Sequence, residues 1–190
     1  MRSVFSLLSV LLLTIAAVGQ KAVPPPPKPA DHNPSLPTTM KFIQDKLNDE
    51  GTFNYVIFVH DDVGGSEWTL RKVVAETNVV ADPATCRINY HWKDVKNGST
   101  VYDTDLWFNL KGVQSLSVMT LEQNQKLVDT DSGEPGRSYR IEPAIFVLRV
   151  IQTRNSHYDF FFHDEETANR VAKAMTHAVE LCGGGDNAPF

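Results

Sequence analysis

Apolar and polar residues alternate with a period of two over much of the chain between residues 53 and 162. The clearest stretch runs from Cys86 to Trp92, where apolar residues occupy every second position. Such alternation is typical of a half-exposed antiparallel strand. Similar stretches predict about seven strands, over residues 53–59, 68–80, 86–92, 100–110, 116–121, 145–151 and 157–162. We expect the second of these strands to bend near Asn78.

A helical period replaces the alternation on both sides of this region. Leu36, Met40, Ile43 and Leu47 fall on one face and predict a short helix that ends near residue 51. A second amphipathic stretch predicts a C-terminal helix, capped at its start by Asp164. The apolar face of that helix comprises Ala168, Val171, Ala172, Met175, Ala178, Val179 and Cys182.

Two segments between the strands carry turn or loop signals. Asn97 and Gly98 are the residue pair preferred in tight two-residue hairpins, so we expect a turn there. Residues 122–140 are polar, and we interpret them as a long surface loop that contains at most a helical turn near Leu127.

The N-terminal residues have the pattern of an export signal. A basic residue at position 2 precedes an apolar run and small residues before a cleavage site after Gly19. The run is shorter than the roughly 20 residues that span a bilayer, which favours cleavage over an anchor. We therefore predict a signal peptide (1–19), a proline-rich linker (20–35), one domain (36–183) and a flexible tail (184–190). The mature chain is expected to have no transmembrane segment and to be periplasmic or secreted.

Composition and charge narrow the classes of partner. The chain has 190 residues, 42% of them hydrophobic, and a net charge of −5. Phosphate backbones select basic surfaces, and no cluster of Lys and Arg is present, so we expect no nucleic acid as a partner. The two cysteines, Cys86 and Cys182, are predicted to form a disulfide in an oxidising compartment. Two buried free thiols are the alternative.

The order of these elements resembles the pleckstrin-homology-like (PH-like) superfold. That resemblance implies a mainly β (α+β) fold, a partly open barrel of about seven antiparallel strands with a short N-terminal helix and a C-terminal capping helix. Residues 78–92, 105–116 and 168–185 also resemble an uncharacterised family of exported bacterial proteins. Phosphoinositide-binding members of the superfold carry Lys and Arg in the loop that corresponds to residues 60–67. Here that loop has three acids and no Lys or Arg, so we expect no phosphoinositide binding.

Binding of a protein or peptide in the cell envelope is the function that these observations favour. In related folds a partner adds to a sheet edge and packs beside the last helix, which needs no special residues. Trp107 and Tyr102 are the candidate exposed aromatic anchors. Trp107 is expected to face away from Leu106 and Phe108, whereas Trp92 is expected in the core.

Hydrolase or metal chemistry is the alternative class. His157, Asp159 and His163 fall on one side of a predicted strand, and His60, Asp61 and Asp62 form a second cluster with zinc-ligand chemistry. The first set also fits the solvated face of a strand whose other face is the core. Nucleophile, phosphate-loop, dinucleotide and zincin motifs are absent from the sequence, so we expect a non-enzymatic protein without a cofactor. A small apolar ligand inside the barrel is a third hypothesis.

Overall fold

The computed structural model describes residues 33–133, 136–152 and 156–184. The predicted signal peptide, residues 20–32 of the predicted linker and residues 185–190 of the predicted tail lie outside these ranges. The described residues form three α-helices, α1 (Leu36–Glu50), α2 (Leu121–Ser132) and α3 (Glu165–Leu181), and one short 3-10 helix at Leu110–Gly112. They also form eight strands: β1 (Thr52–Asp61), β2 (Glu67–Asp82), β3 (Arg87–Lys96), β4 (Ser99–Asn109), β5 (Val113–Thr120), β6 (Arg137–Glu142), β7 (Phe146–Gln152) and β8 (His157–Phe162).

The strands form two antiparallel sheets. Sheet A has five strands in the order β4-β3-β2-β1-β6, and sheet B has three in the order β5-β7-β8. This arrangement confirms the mainly β (α+β) class. The sheets do not join into a closed barrel, so β4 and β6 are edge strands of sheet A, and β5 and β8 are edge strands of sheet B.

The surface loop predicted for residues 122–140 is wrong. The segment holds α2, which starts with a capping box between Thr120 and Gln123, and β6, which pairs with β1. The buried positions of α2 are Leu121, Asn124 and Asp129, two of them polar, which is why its inward face gives no apolar pattern.

The predicted bend in β2 is confirmed. The register with β3 shifts between Thr77 and Val80, and Asn78 adopts a φ of 55° at the shift. One extra residue in a strand changes which side chains face inward. Glu76 is therefore the last buried side chain before the bend, and Val79 the first after it.

One end of the space between the sheets is filled by apolar side chains of the helices, and we call it the disulfide end. Met40, Ile43, Met175 and Val179 of α1 and α3 are fully buried there. The Sγ atoms of Cys86 and Cys182 are bonded at 2.07 Å, which joins the β2–β3 turn to the end of α3 and confirms the predicted pair.

The start of α3 also agrees with its prediction. The Asp164 Oδ1 accepts a hydrogen bond of 2.7 Å from the Thr167 backbone N–H, as an N-cap does. In the described part of the chain, the helices are all too short or too polar to cross a membrane.

Candidate binding groove between two edge strands

A groove of about 520 Å³ lies between β4, an edge of sheet A, and β8, an edge of sheet B. Five of its nine lining side chains are aromatic. We call it the aromatic groove. It is lined by Tyr90, Trp92, Tyr102, Thr104, Leu106, His157, Tyr158, Asp159 and Phe161. It is large enough for a small ligand or for a few residues of a peptide.

The floor of the aromatic groove is formed by side chains of β3 and β8. The rings of Trp92 and Phe161 lie 5.7 Å apart between centroids, and Tyr90 packs against Phe160 beneath them. Tyr102 is 60% exposed on the β4 side. His157 is exposed on the β8 side. The groove thus has an aromatic floor and partly polar rims.

Asp159 is held by a buried network. Its Oδ1 accepts from Arg149 Nε at 2.9 Å, and its Oδ2 accepts from Arg149 Nη2 at 3.0 Å and from Asn124 Nδ2 at 2.9 Å. The side chains of Arg149 and Asp159 are only 5% and 16% exposed. The interpretation of this strand face as simply solvated is therefore wrong at Asp159, because β7 and α2 cover it.

The three residues of the first candidate metal cluster are not brought together. His163 Nδ1 lies 2.8 Å from Glu50 Oε2, and its ring stacks on Phe53 at 4.3 Å. His157 Nε2 is 4.0 Å from Asp159 Oδ2, whose lone pairs are already used by Arg149 and Asn124. Each residue of the set is therefore engaged in a different contact.

The second candidate cluster is a turn rather than a ligand set. Asp61 Oδ1 accepts from the backbone N–H groups of Val63 and Gly64, and these bonds lower the pKa of Asp61 below its usual value. Ser138 donates its hydroxyl to Asp62 Oδ1 at 3.1 Å. The described residues contain no group of three or more His, Cys, Asp or Glu side chains arranged to hold a metal ion.

A buried acid lies on sheet A beside the floor of the aromatic groove. Glu76 of β2 stands directly across from Trp92 of β3 and is 1% exposed. Within the described ranges no hydrogen bond of normal geometry reaches either carboxyl oxygen, although the Phe161 backbone N–H approaches the group. Burial raises the pKa of Glu76 well above its usual value, the Phe161 backbone N–H opposes that rise, and the charges of Asp159 and Glu50 add to it. Burial of Glu76 thus favours the protonated, uncharged form of its carboxyl group.

Sequence reasoning missed Glu76, although a signal was present. In β2, Lys72, Val74 and Glu76 are alternate residues, so Glu76 shares the inward face of the strand with a buried valine. A charged residue at an inward position of a strand is a candidate for a perturbed pKa.

Trp107 and Tyr102 lie on opposite faces of β4. Tyr102 faces the aromatic groove. Trp107 is 55% exposed, and the guanidinium of Arg87 lies 3.9 Å from its ring centroid. The predicted exposure of Trp107 is confirmed, but the two candidate anchors do not form one site. None of the nine residues that line the aromatic groove belongs to α3, beside which the partner was expected.

The outer face of β3 and β4 carries a histidine between two carboxylates. The two ring nitrogens of His91 lie 2.9 Å from Asp105 Oδ1 and 2.9 Å from Asp103 Oδ1. The hydrogen bond to Asp105 is the largest of the effects that raise the pKa of His91 above its usual value. These contacts link the side chains of β3 to those of β4, which forms one rim of the aromatic groove.

Comparisons with protein-family models, curated proteins and solved structures returned no significant match. The resemblance to the PH-like superfold therefore stays a prediction.

Proposed function

We propose that the protein is an exported, non-enzymatic module that binds an extended segment of a protein or peptide partner in the aromatic groove. The observation that carries this proposal is the position of the groove between two edge strands, β4 and β8. An edge strand presents backbone N–H and C=O groups that a peptide can pair with.

The side chains of the groove complement that backbone edge. Along an extended segment, alternate side chains point to the same side, so one or two of them can reach the aromatic floor. Aromatic residues such as Trp92 and Tyr102 are the types enriched at the centres of protein interfaces. Backbone pairing and aromatic pockets together support a peptide as the occupant.

Export is supported by two independent features. The disulfide between Cys86 and Cys182 is the kind of bond that persists in oxidising compartments. The predicted signal at residues 1–19 provides the route. The partner is accordingly proposed to lie in the cell envelope or outside the cell.

Site-specific crosslinking tests the proposal with a control on the same strand. A photoreactive phenylalanine analogue replaces Tyr102 in one variant of the full chain and Trp107 in the other, and both are expressed in the native host and irradiated. We expect a discrete adduct from position 102 and none from position 107, since only position 102 faces the groove. Adducts of equal yield from both positions, or none from position 102, would contradict the proposal. So would turnover of an ester, peptide or glycoside panel that groove substitutions abolish.

A small apolar ligand is the second candidate occupant. It is favoured by the volume of about 520 Å³ and by the mainly apolar lining of the groove. Native mass spectrometry of the exported protein distinguishes the two candidates. A co-purifying small molecule that is lost in a Leu106→Asp variant supports this second candidate, and an adduct to a polypeptide supports the first.

A further inference from the structure

Negative and positive side chains are unequally distributed around the aromatic groove. None of its nine lining residues is Lys or Arg, and Asp159 is its one carboxylate. The cation that pairs with Asp159 is Arg149, which is 5% exposed and donates to it from Nε and Nη2. The groove therefore presents a carboxylate, while the matching guanidinium is buried.

The next cation along the inner face of sheet A is also engaged. Lys72 Nζ lies 2.6 Å from Asp94 Oδ2, and both side chains are largely buried. Glu76, which pairs with Trp92 across the sheet, is an acid and adds no positive charge. Apart from His157, whose Nε2 lies 4.0 Å from Asp159 Oδ2, no side chain that lines the groove can carry a positive charge.

The aromatic lining favours the same sign of charge. Ring faces carry negative quadrupole potential and attract Lys or Arg side chains, most strongly when the pair is removed from water. Five rings line this groove, those of Tyr90, Trp92, Tyr102, Tyr158 and Phe161.

Asp159 retains capacity for one more donor. An ionised carboxylate accepts about four hydrogen bonds, and the structure shows three, two from Arg149 and one from Asn124. The side chain is 16% exposed and lines the groove.

From these features we infer that the segment bound in the aromatic groove places a cationic side chain, Arg or Lys, over the aromatic floor and toward Asp159. This inference rests on the proposed function, because it specifies the occupant of the same groove. Charge complementarity then sets which partner segments are accepted.

A pair of peptides that differ only in charge tests the inference. Both are acetylated and amidated pentapeptides of β-branched residues, which favour extended backbone. One carries arginine at its centre, and the other carries citrulline, its uncharged near-isostere. Binding to the exported full chain is measured by calorimetry and by Trp fluorescence. We expect the arginine peptide to bind about tenfold more tightly, a preference that shrinks as salt is added.

Two matched variants locate the effect. Tyr102→Leu keeps an apolar side chain at the rim but removes a ring from the groove, so the preference for arginine over citrulline should fall. Trp107→Leu makes the same kind of change on the opposite face of β4 and should leave the preference unchanged.

The outcomes separate this inference from the proposed function. Equal binding of the two peptides overturns the inference while leaving peptide binding intact. Binding of neither peptide also overturns the inference, and the crosslinking at position 102 then decides the proposed function independently. Choline is the third probe. If it binds as tightly as the arginine peptide, the groove recognises a small cation and the inference of a peptide side chain is wrong.

Discussion

The disulfide end and the aromatic groove close the space between the same two sheets in opposite ways. At the disulfide end, apolar side chains of α1 and α3 are fully buried, and the disulfide joins the β2–β3 turn to the end of α3. At the groove, two edge strands remain apart. Asp159, which lines the opening, pairs with the buried Arg149, and the buried Glu76 lies across the sheet from Trp92.

The difference separates stability from recognition. Burial of apolar area is favourable at the disulfide end, whereas buried charges cost desolvation free energy that their partners only partly offset. A buried acid without a well-formed hydrogen bond, such as Glu76, also costs desolvation free energy. Polar groups that reduce stability are expected where a protein retains an open site. The following predictions test that separation.

Removal of the disulfide should have the largest effect. The bond joins residues 96 positions apart, and a loop of this length is worth about 4–5 kcal/mol in the chain-entropy account. We expect a Cys86→Ala, Cys182→Ala double variant to lose about that amount in urea unfolding. Neither cysteine lines the groove, so crosslinking from position 102 should persist. The native protein treated with reductant is the control. A loss below ~1 kcal/mol would show that packing of the helices alone stabilises the disulfide end.

Breaking the buried ion pair should be the next largest effect. Arg149→Met leaves Asp159 buried without its guanidinium, which should reduce the free energy of unfolding by about 3–5 kcal/mol. A double variant, Arg149→Met with Asp159→Leu, removes both charges and should recover most of the loss. If the double variant is as unstable as the single one, the pair stabilises the fold by more than neutralising the charge of Asp159.

Glu76→Gln should change how stability depends on pH. The pKa of Glu76 is raised in the folded protein, so the folded state retains a proton that the unfolded state releases. Stability therefore falls as the pH rises above the unfolded pKa, with a slope of up to about 1.4 kcal/mol per pH unit. The variant should lack this fall and be at least as stable as the native protein at pH 7.

The matched control for Glu76 is Glu67→Gln, the same change at an exposed position of β2. It should leave the pH dependence of unfolding as in the native protein. An unchanged slope in the Glu76 variant would mean that this carboxyl is ionised in the fold.

The smallest effect is expected at the outer side of the groove rim. The pKa of His91 is raised by Asp105 and Asp103, so its stabilising contribution is complete below the unfolded pKa and is lost as the pH rises through the folded value. His91→Gln should remove that pH dependence near and above pH 6.5. NMR titration of the His91 ring provides the check, and a pKa at or below 6.5 would contradict it.

Much of the fold was predictable because local patterns determine it. The alternation around Cys86 to Trp92, the Asn97–Gly98 turn and the apolar face of α3 each identify an element from neighbouring residues alone. The segment 122–140 failed because α2 buries Asn124 and Asp129, and β6 gains its stability from pairing with β1, far away in the sequence.

The aromatic groove was only half predictable. The sequence predicts Tyr102 as a candidate anchor, but its sequence neighbours do not reveal that β4 and β8 stay apart at that point. Asp159 was misassigned because its partner Arg149 lies on another strand. Buried polar networks are built from long-range contacts, which local periodicity cannot report.

The pairing of β6 with β1 has a consequence for the order in which the protein assembles. Strands β1 to β4 follow one another directly and can form as successive hairpins, but β1 keeps an unpaired edge until residues 137–142 arrive. Until then that edge presents backbone groups to any other chain. Until sheet A is closed by β6, the newly made chain therefore carries an open strand edge of the kind that favours aggregation.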